Sequence, residues 1–177
     1  MEIIYNSIQI TSQNPPYQEL PLYQTINKPS VTIHPNPTQY SSIIMYDPDS
    51  VKGIFIHWLV INIPINSTNI SDGKSIKDYY KPSPPPKTGK HRYIFELYSH
   101  TNPLQIDTLK ETNYSNVSKL LSGNPNAKLE KRLAFVTQNA LQDGGRKYSN
   151  IRRSVRRKVV KKKTRKAYKH RKWNRVK

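Results

Sequence analysis

The sequence predicts a mainly β fold: an antiparallel β-sandwich with one or two short helices, followed by an extended basic tail. Three observations predict it. The first 98 residues are short runs of Ile, Val, Tyr and Thr between Pro, Asn, Ser and Gly, the pattern of strands joined by irregular turns. No helical periodicity spans that half, and its prolines suit loops and edge strands better than strand centres. Charge also falls into two blocks. Residues 144–177 hold 17 of the 30 Lys and Arg and no acid, while residues 1–143 hold 13 basic and 11 acidic side chains. A near-neutral domain over 1–143 and a basic tail over 144–177 are therefore expected, with Asp143-Gly144-Gly145 as the break.

The elements follow in order. "SVTIHP" (30–35), "YSSIIMYD" (40–47), "IFIHWLVINIP" (54–64) and "HRYIFELY" (91–98) read as strands bounded by turn formers. "NYSNVSKLLSG" (113–123) reads as a short helix stopped at Gly123. Within "AKLEKRLAFVTQNAL" (127–141), "AKLEKRL" has helical character, whereas "LAFVTQ" suits a strand equally well.

Composition excludes several function classes. There is no cysteine, so disulfides, thiolate zinc sites and a cysteine nucleophile are ruled out, and a reducing compartment fits. The start, "MEIIYNSIQI", is interrupted by polar residues and does not read as a signal peptide. No apolar run approaches the ~18 residues of a membrane span. The expected location is cytoplasm, nucleus or a virus particle, without secretion. The sequons at Asn66, Asn69, Asn113 and Asn116 are then expected to stay unmodified. The chain has no H-x-H, H-E-x-x-H or G-x-S-x-G motif, so neither an enzyme nor a metal or other cofactor is expected.

One constellation stands out. Strict alternation puts His57, Leu59 and Ile61 on one face of their strand, and His91, Tyr93, Phe95 and Leu97 on one face of theirs. Each row opens on a histidine. Asp47 and Asp49 flank Pro48 at the end of another strand. An Asp beside two His and a Tyr makes a polar site able to take an anion. A lone His at a strand end is more often a surface or hydrogen-bonded core residue, and Asp-Pro-Asp is by itself a turn.

In order along the chain, Asp47-Pro48-Asp49, the "HWLVINI" strand from His57, and "KTGKHRY" with Thr88-Gly89 and His91-Arg92-Tyr93 resemble the motifs of the phosphatidylethanolamine-binding protein family. The resemblance is clear from Ser41 to Tyr98, weaker to Asp143 and absent from the tail. It implies a β-sandwich of that family's type with a small surface pocket for phosphate or a phospholipid headgroup. By position the pocket residues are Asp47, His57, His91 and Tyr93, with Tyr79 and Pro85 near the rim. Arg92 alternates to the other face, where it is expected to hold the Asp-Pro-Asp turn through Asp47 or Asp49. There are departures. Ser50–Ile56 is shorter than the animal loop, Lys81 and Ser83 stand where animal members carry glycine, and Lys87 replaces the glycine before Thr88.

The tail carries Arg146, Lys147, Arg152, Arg153, Arg156, Arg157, Lys158, Lys161, Lys162, Lys163, Arg165, Lys166, Lys169, Arg171, Lys172, Arg175 and Lys177. Self-repulsion keeps such a segment extended in isolation. Ile151, Val155 and Val159 recur at four-residue steps, so a polyanion can order part of it as a helix. Trp173 and Tyr168 are suited to stack on bases. The tail lacks the apolar face of a membrane-surface helix, which favours nucleic acid over an anionic membrane. The expectation is a non-enzymatic anion- or headgroup-binding domain joined to a nucleic-acid-binding tail. The alternatives are a scaffold protein, as in the particle of a large DNA virus, and a kinase or protease inhibitor acting on a protein partner.

Overall fold

The computed structural model describes residues 1–34, 39–106, 113–114 and 126–139. The chain divides into two units, Met1–Asn139 and Ala140–Lys177. The second lies outside the described residues, as does most of the helix expected over 113–123.

Ten strands form two sheets among the described residues. They are β1 (Glu2–Tyr5), β2 (Ile8–Gln9), β3 (Gln18–Glu19), β4 (Ser30–Thr32), β5 (Tyr40–Asp47), β6 (Ile54–Pro64), β7 (Lys74–Lys77), β8 (Lys90–His100), β9 (Asn113–Tyr114) and β10 (Lys128–Gln138). The small sheet runs β2-β1-β4. The large one runs β3-β10-β8-β5-β6-β7, with β9 pairing on β6. All pairings are antiparallel except that of β3, a two-residue edge parallel to β10. The four strands read from the sequence are present. Among the described residues there is no α-helix, only two 3-10 turns, Leu22–Thr25 and Ile70–Asp72, so the helical reading of "AKLEKRL" is corrected. Lys128–Leu133 of "AKLEKRL" is strand, because β10 pairs with β8 along its whole length and a bulge near Glu130 absorbs its irregular spacing.

The two sheets form a sandwich. Ile3 and Tyr5, two apart on β1, share a face and meet Met45, Trp58, Tyr93, Phe95 and Phe135 of the large sheet in one buried cluster. Aromatic edges set the packing, with Tyr5 at 5.4 Å from Phe135 and Tyr93 stacked on Phe135 at 5.3 Å. The opposite face of the large sheet buries Ile44, Tyr46, Ile56, Leu59, Ile61 and Ile94 in a second cluster, with Leu104. That face also holds a buried carboxylate, Glu96. It is neutralised by Arg132 and accepts hydrogen bonds from Tyr46 and Tyr98 at 3.0 and 2.7 Å.

Candidate functional site

The central strands end together, and the loops after them build a cavity. Strand β5 ends on Asp47, paired with Phe55 near the start of β6, and β8 carries His91 and Tyr93 just after its first residue, Lys90. The cavity is about 210 Å³, lined by Asp47, Ser50, Val51, Phe55, His57, Tyr80, Ser83, Pro85, His91 and Tyr93.

His57 reaches it through a bulge. Met45 pairs with Trp58 and Tyr46 with Ile56, so His57 is the extra residue of β6. Strict alternation is therefore corrected here. Leu59 and Ile61 pack on the far cluster, while His57 and Trp58 turn together toward Tyr93. A two-point clamp fixes the ring. The Tyr80 N–H donates to the His57 carbonyl, and His57 Nδ1 donates to the Tyr80 carbonyl, each at 2.8 Å. Phe55 and Tyr93 lie edge-on to it at 4.7 and 5.1 Å. Burial pushes its pKa down to about 4, helped by the positive charges of Lys77 and His91 and resisted by the Tyr80 carbonyl.

His91, on the expected face of β8, is fully engaged. Its Nδ1 meets Asp47 Oδ2 and its Nε2 meets Thr88 Oγ1, both at 2.7 Å, and Thr88 donates to the Pro85 carbonyl at 2.8 Å. Asp47 is buried and accepts the Asp49 N–H on its other oxygen at 2.8 Å. Burial raises its carboxyl pKa, and the bonds from His91 and Asp49 pull it back. The pair forms a wall, not a free cation.

Arg92 points away and forks onto Asp49, with Nε at 2.9 Å and Nη2 at 2.6 Å, while its backbone N–H adds a third bond at 2.9 Å. Those bonds hold Asp49 below the usual carboxylate range. Lys87 takes φ 71° in the turn closed by Thr88 N–H and the Pro85 carbonyl, a left-handed backbone that favours glycine.

Tyr93 closes the floor. Its hydroxyl is buried and has no hydrogen-bond partner in the protein; the Ser83 backbone approaches without closing a bond of normal geometry. Burial, with the negative charge of Asp47, raises its pKa and keeps it a neutral phenol. Pro85 lines the cavity as expected, but Tyr79 does not. Its hydroxyl donates to the Thr25 carbonyl at 2.7 Å and its ring packs on Trp58. Tyr80, which the sequence did not single out, takes the place at the mouth, and Thr88, read from the sequence only as a motif residue, bonds His91. Of two adjacent tyrosines outside any strand, no periodicity says which turns inward. Among the described residues no cluster of His, Asp and Glu is suited to hold a metal.

An edge-to-face His–Tyr pair and an Asp–His wall thus line a small cavity at one end of a β-sandwich. The chain belongs to the phosphatidylethanolamine-binding protein family, which it matches over residues 11–142. It is 35% identical to the 26 kDa secreted antigen of Toxocara canis over 99 residues, 52% of this chain and 36% of that one. It is 30% identical to Protein BROTHER of FT and TFL 1 of Arabidopsis thaliana over 119 residues, 63% of this chain and 64% of that one. The chain thus spans less than two thirds of either relative's length. Among solved structures, the carboxypeptidase Y inhibitor complexed with its cognate proteinase superposes with a TM-score of 0.64 at 20% identity, covering 78% of this chain and 82% of that one. The solution structure of CG7054 gives 0.62 at 25% identity, covering 78% and 83%. No helix of the described residues is long and apolar enough to cross a membrane.

Proposed function

We propose that this chain is a non-enzymatic binding protein whose cavity takes a phosphate-like group, free or as a phospholipid headgroup, and whose basic segment binds nucleic acid. The observation that carries the first part is the Tyr93 hydroxyl, buried at the cavity floor without a protein partner. A buried hydroxyl costs free energy until something bonds it, and an occupant's anionic oxygen does so. Phosphate titration of the full chain, followed by NMR at His57 and His91, tests this. Both signals are expected to move, and Tyr93→Phe is expected to weaken binding about tenfold while changing stability by no more than about 1 kcal/mol. Silent His57 and His91 signals overturn the reading.

The second part rests on the charge step between 1–143 and 144–177. If about half the 17 tail charges meet phosphates, log K for duplex DNA falls with log salt at a slope of about −7. A slope shallower than about −2, or preference for anionic vesicles over DNA at about 150 mM salt, removes the nucleic-acid assignment. Scaffold and inhibitor roles are the alternatives. The likeness to the inhibitor complex is one of fold alone, at 20% identity.

A further inference from the structure

We propose that the cavity selects a phosphate monoester carrying one proton, in preference to phosphodiesters and sulfate; this rests on the anion-binding reading above. The bonds already made assign the donors and acceptors. A carbonyl only accepts, so His57 Nδ1 carries the proton of its 2.8 Å bond to Tyr80. A neutral imidazole then has a bare lone pair on Nε2, the one ring nitrogen that His57 leaves for the cavity it lines. Burial and the charges of Lys77 and His91 favour that neutral ring.

No other titratable group facing His57 reverses this. His91 has one nitrogen on Asp47 and one on Thr88. Asp47 has one oxygen on His91 and one on the Asp49 N–H. Tyr93 is a phenol held neutral by burial, and Tyr80 holds His57 through its backbone. Lys77 sits over the Phe55 ring at 5.1 Å. The cavity therefore offers an acceptor at His57 and a donor at Tyr93.

A suitable ligand brings the complement: an O–H for His57 Nε2 and an anionic oxygen for Tyr93. A phosphate monoester monoanion, R–O–PO₃H⁻, has both. A phosphodiester anion and sulfate have only acceptors, and each sets a lone pair against the lone pair of His57. A fully ionised monoester shares that defect and brings a second negative charge beside Asp47. The complex thus contains one proton more than neutral His57 plus the dianion, whichever oxygen or nitrogen holds it.

The test is an NMR titration of the full chain, read at His57, with methyl phosphate, dimethyl phosphate and sulfate. At about pH 5.5 methyl phosphate is expected to bind at least about tenfold tighter than the other two. Its affinity is expected to fall about tenfold per pH unit above its second pKa of about 6. Equal affinities for the three, or a pH-independent affinity for methyl phosphate across that pKa, overturn the selection while leaving the anion site standing. No response at His57 to any of them overturns both. Vesicles carrying phosphatidic acid, a monoester headgroup, against vesicles carrying phosphatidylglycerol, a diester, separate a lipid source from a soluble one. Preference for phosphatidic acid vesicles over free methyl phosphate supports the selection with a lipid as the source. Preference for the phosphatidylglycerol vesicles overturns it.

Discussion

Replacing Arg92 with alanine removes two of the three N–H groups on the Asp49 carboxylate, Nε at 2.9 Å and Nη2 at 2.6 Å, and leaves the backbone N–H. A fully buried carboxylate stripped of its partner costs about 3–5 kcal/mol. Here the side chains are 44% and 29% exposed, so water takes up part of the loss. Charge-assisted bonds strengthen the pair above an ordinary surface bridge, and solvent screening weakens it below a buried one. The expected destabilisation is about 1–2 kcal/mol. For a domain of this size that lowers Tm by roughly 3–8 °C at neutral pH. The sign with pH follows from Asp49, whose folded pKa is depressed by Arg92. The stabilisation is complete above the unfolded carboxyl pKa of about 3.9 and disappears as pH falls through the lower folded value. Thermal melts of the two proteins from about pH 7 to about pH 3 check this: the gap is expected to narrow only below about pH 4. Arg92→Lys, which keeps the charge but not the fork, is expected to fall between them. An unchanged Tm at neutral pH together with lost phosphate binding would refute the reasoning and make Arg92 a ligand contact.

His57 is expected to titrate near 4, not 6.5, in the free protein, and phosphate is expected to raise that midpoint; imidazole NMR shifts give both. Because its folded pKa is lowered, its burial lets stability fall by up to about 3 kcal/mol as pH drops from about 6.5 to 4, a slope that His57→Gln is expected to remove in denaturant melts. Gly73→Ala places a Cβ 2.6 Å from Ile63 Cγ1, 2.7 Å from Val60 Cγ1 and 2.8 Å from the Ile61 carbonyl. The carbonyl cannot swing aside, so a loss of about 1–3 kcal/mol is expected, and an unaltered urea midpoint counts against the packing described for β6.

Much of the large sheet was legible because its strands are long and apolar with turn formers at both ends, and β5, β6 and β8 run where the sequence placed them. The ordered motifs around Asp47, His57 and His91-Arg92-Tyr93 were enough to resemble the family, and composition alone excluded every thiol-based chemistry. Helix against strand was not decidable for "AKLEKRL": local propensity favours a helix, but only the partner strand β8 supplies the hydrogen bonds that make it a strand. The bulge at His57 had no local sign either. A period of two places His57 with Leu59 and Ile61, whose face packs away from Tyr93, so unbroken alternation would have pointed the ring out of the site. One extra residue in the pairing with β5 reverses its direction, and that register belongs to two strands at once. The same holds for Tyr80 over Tyr79, and for Thr88 and Asp47 taking both nitrogens of His91. A residue's type is written in the chain, but whether its polar atoms remain free for a ligand depends on neighbours that only tertiary packing supplies.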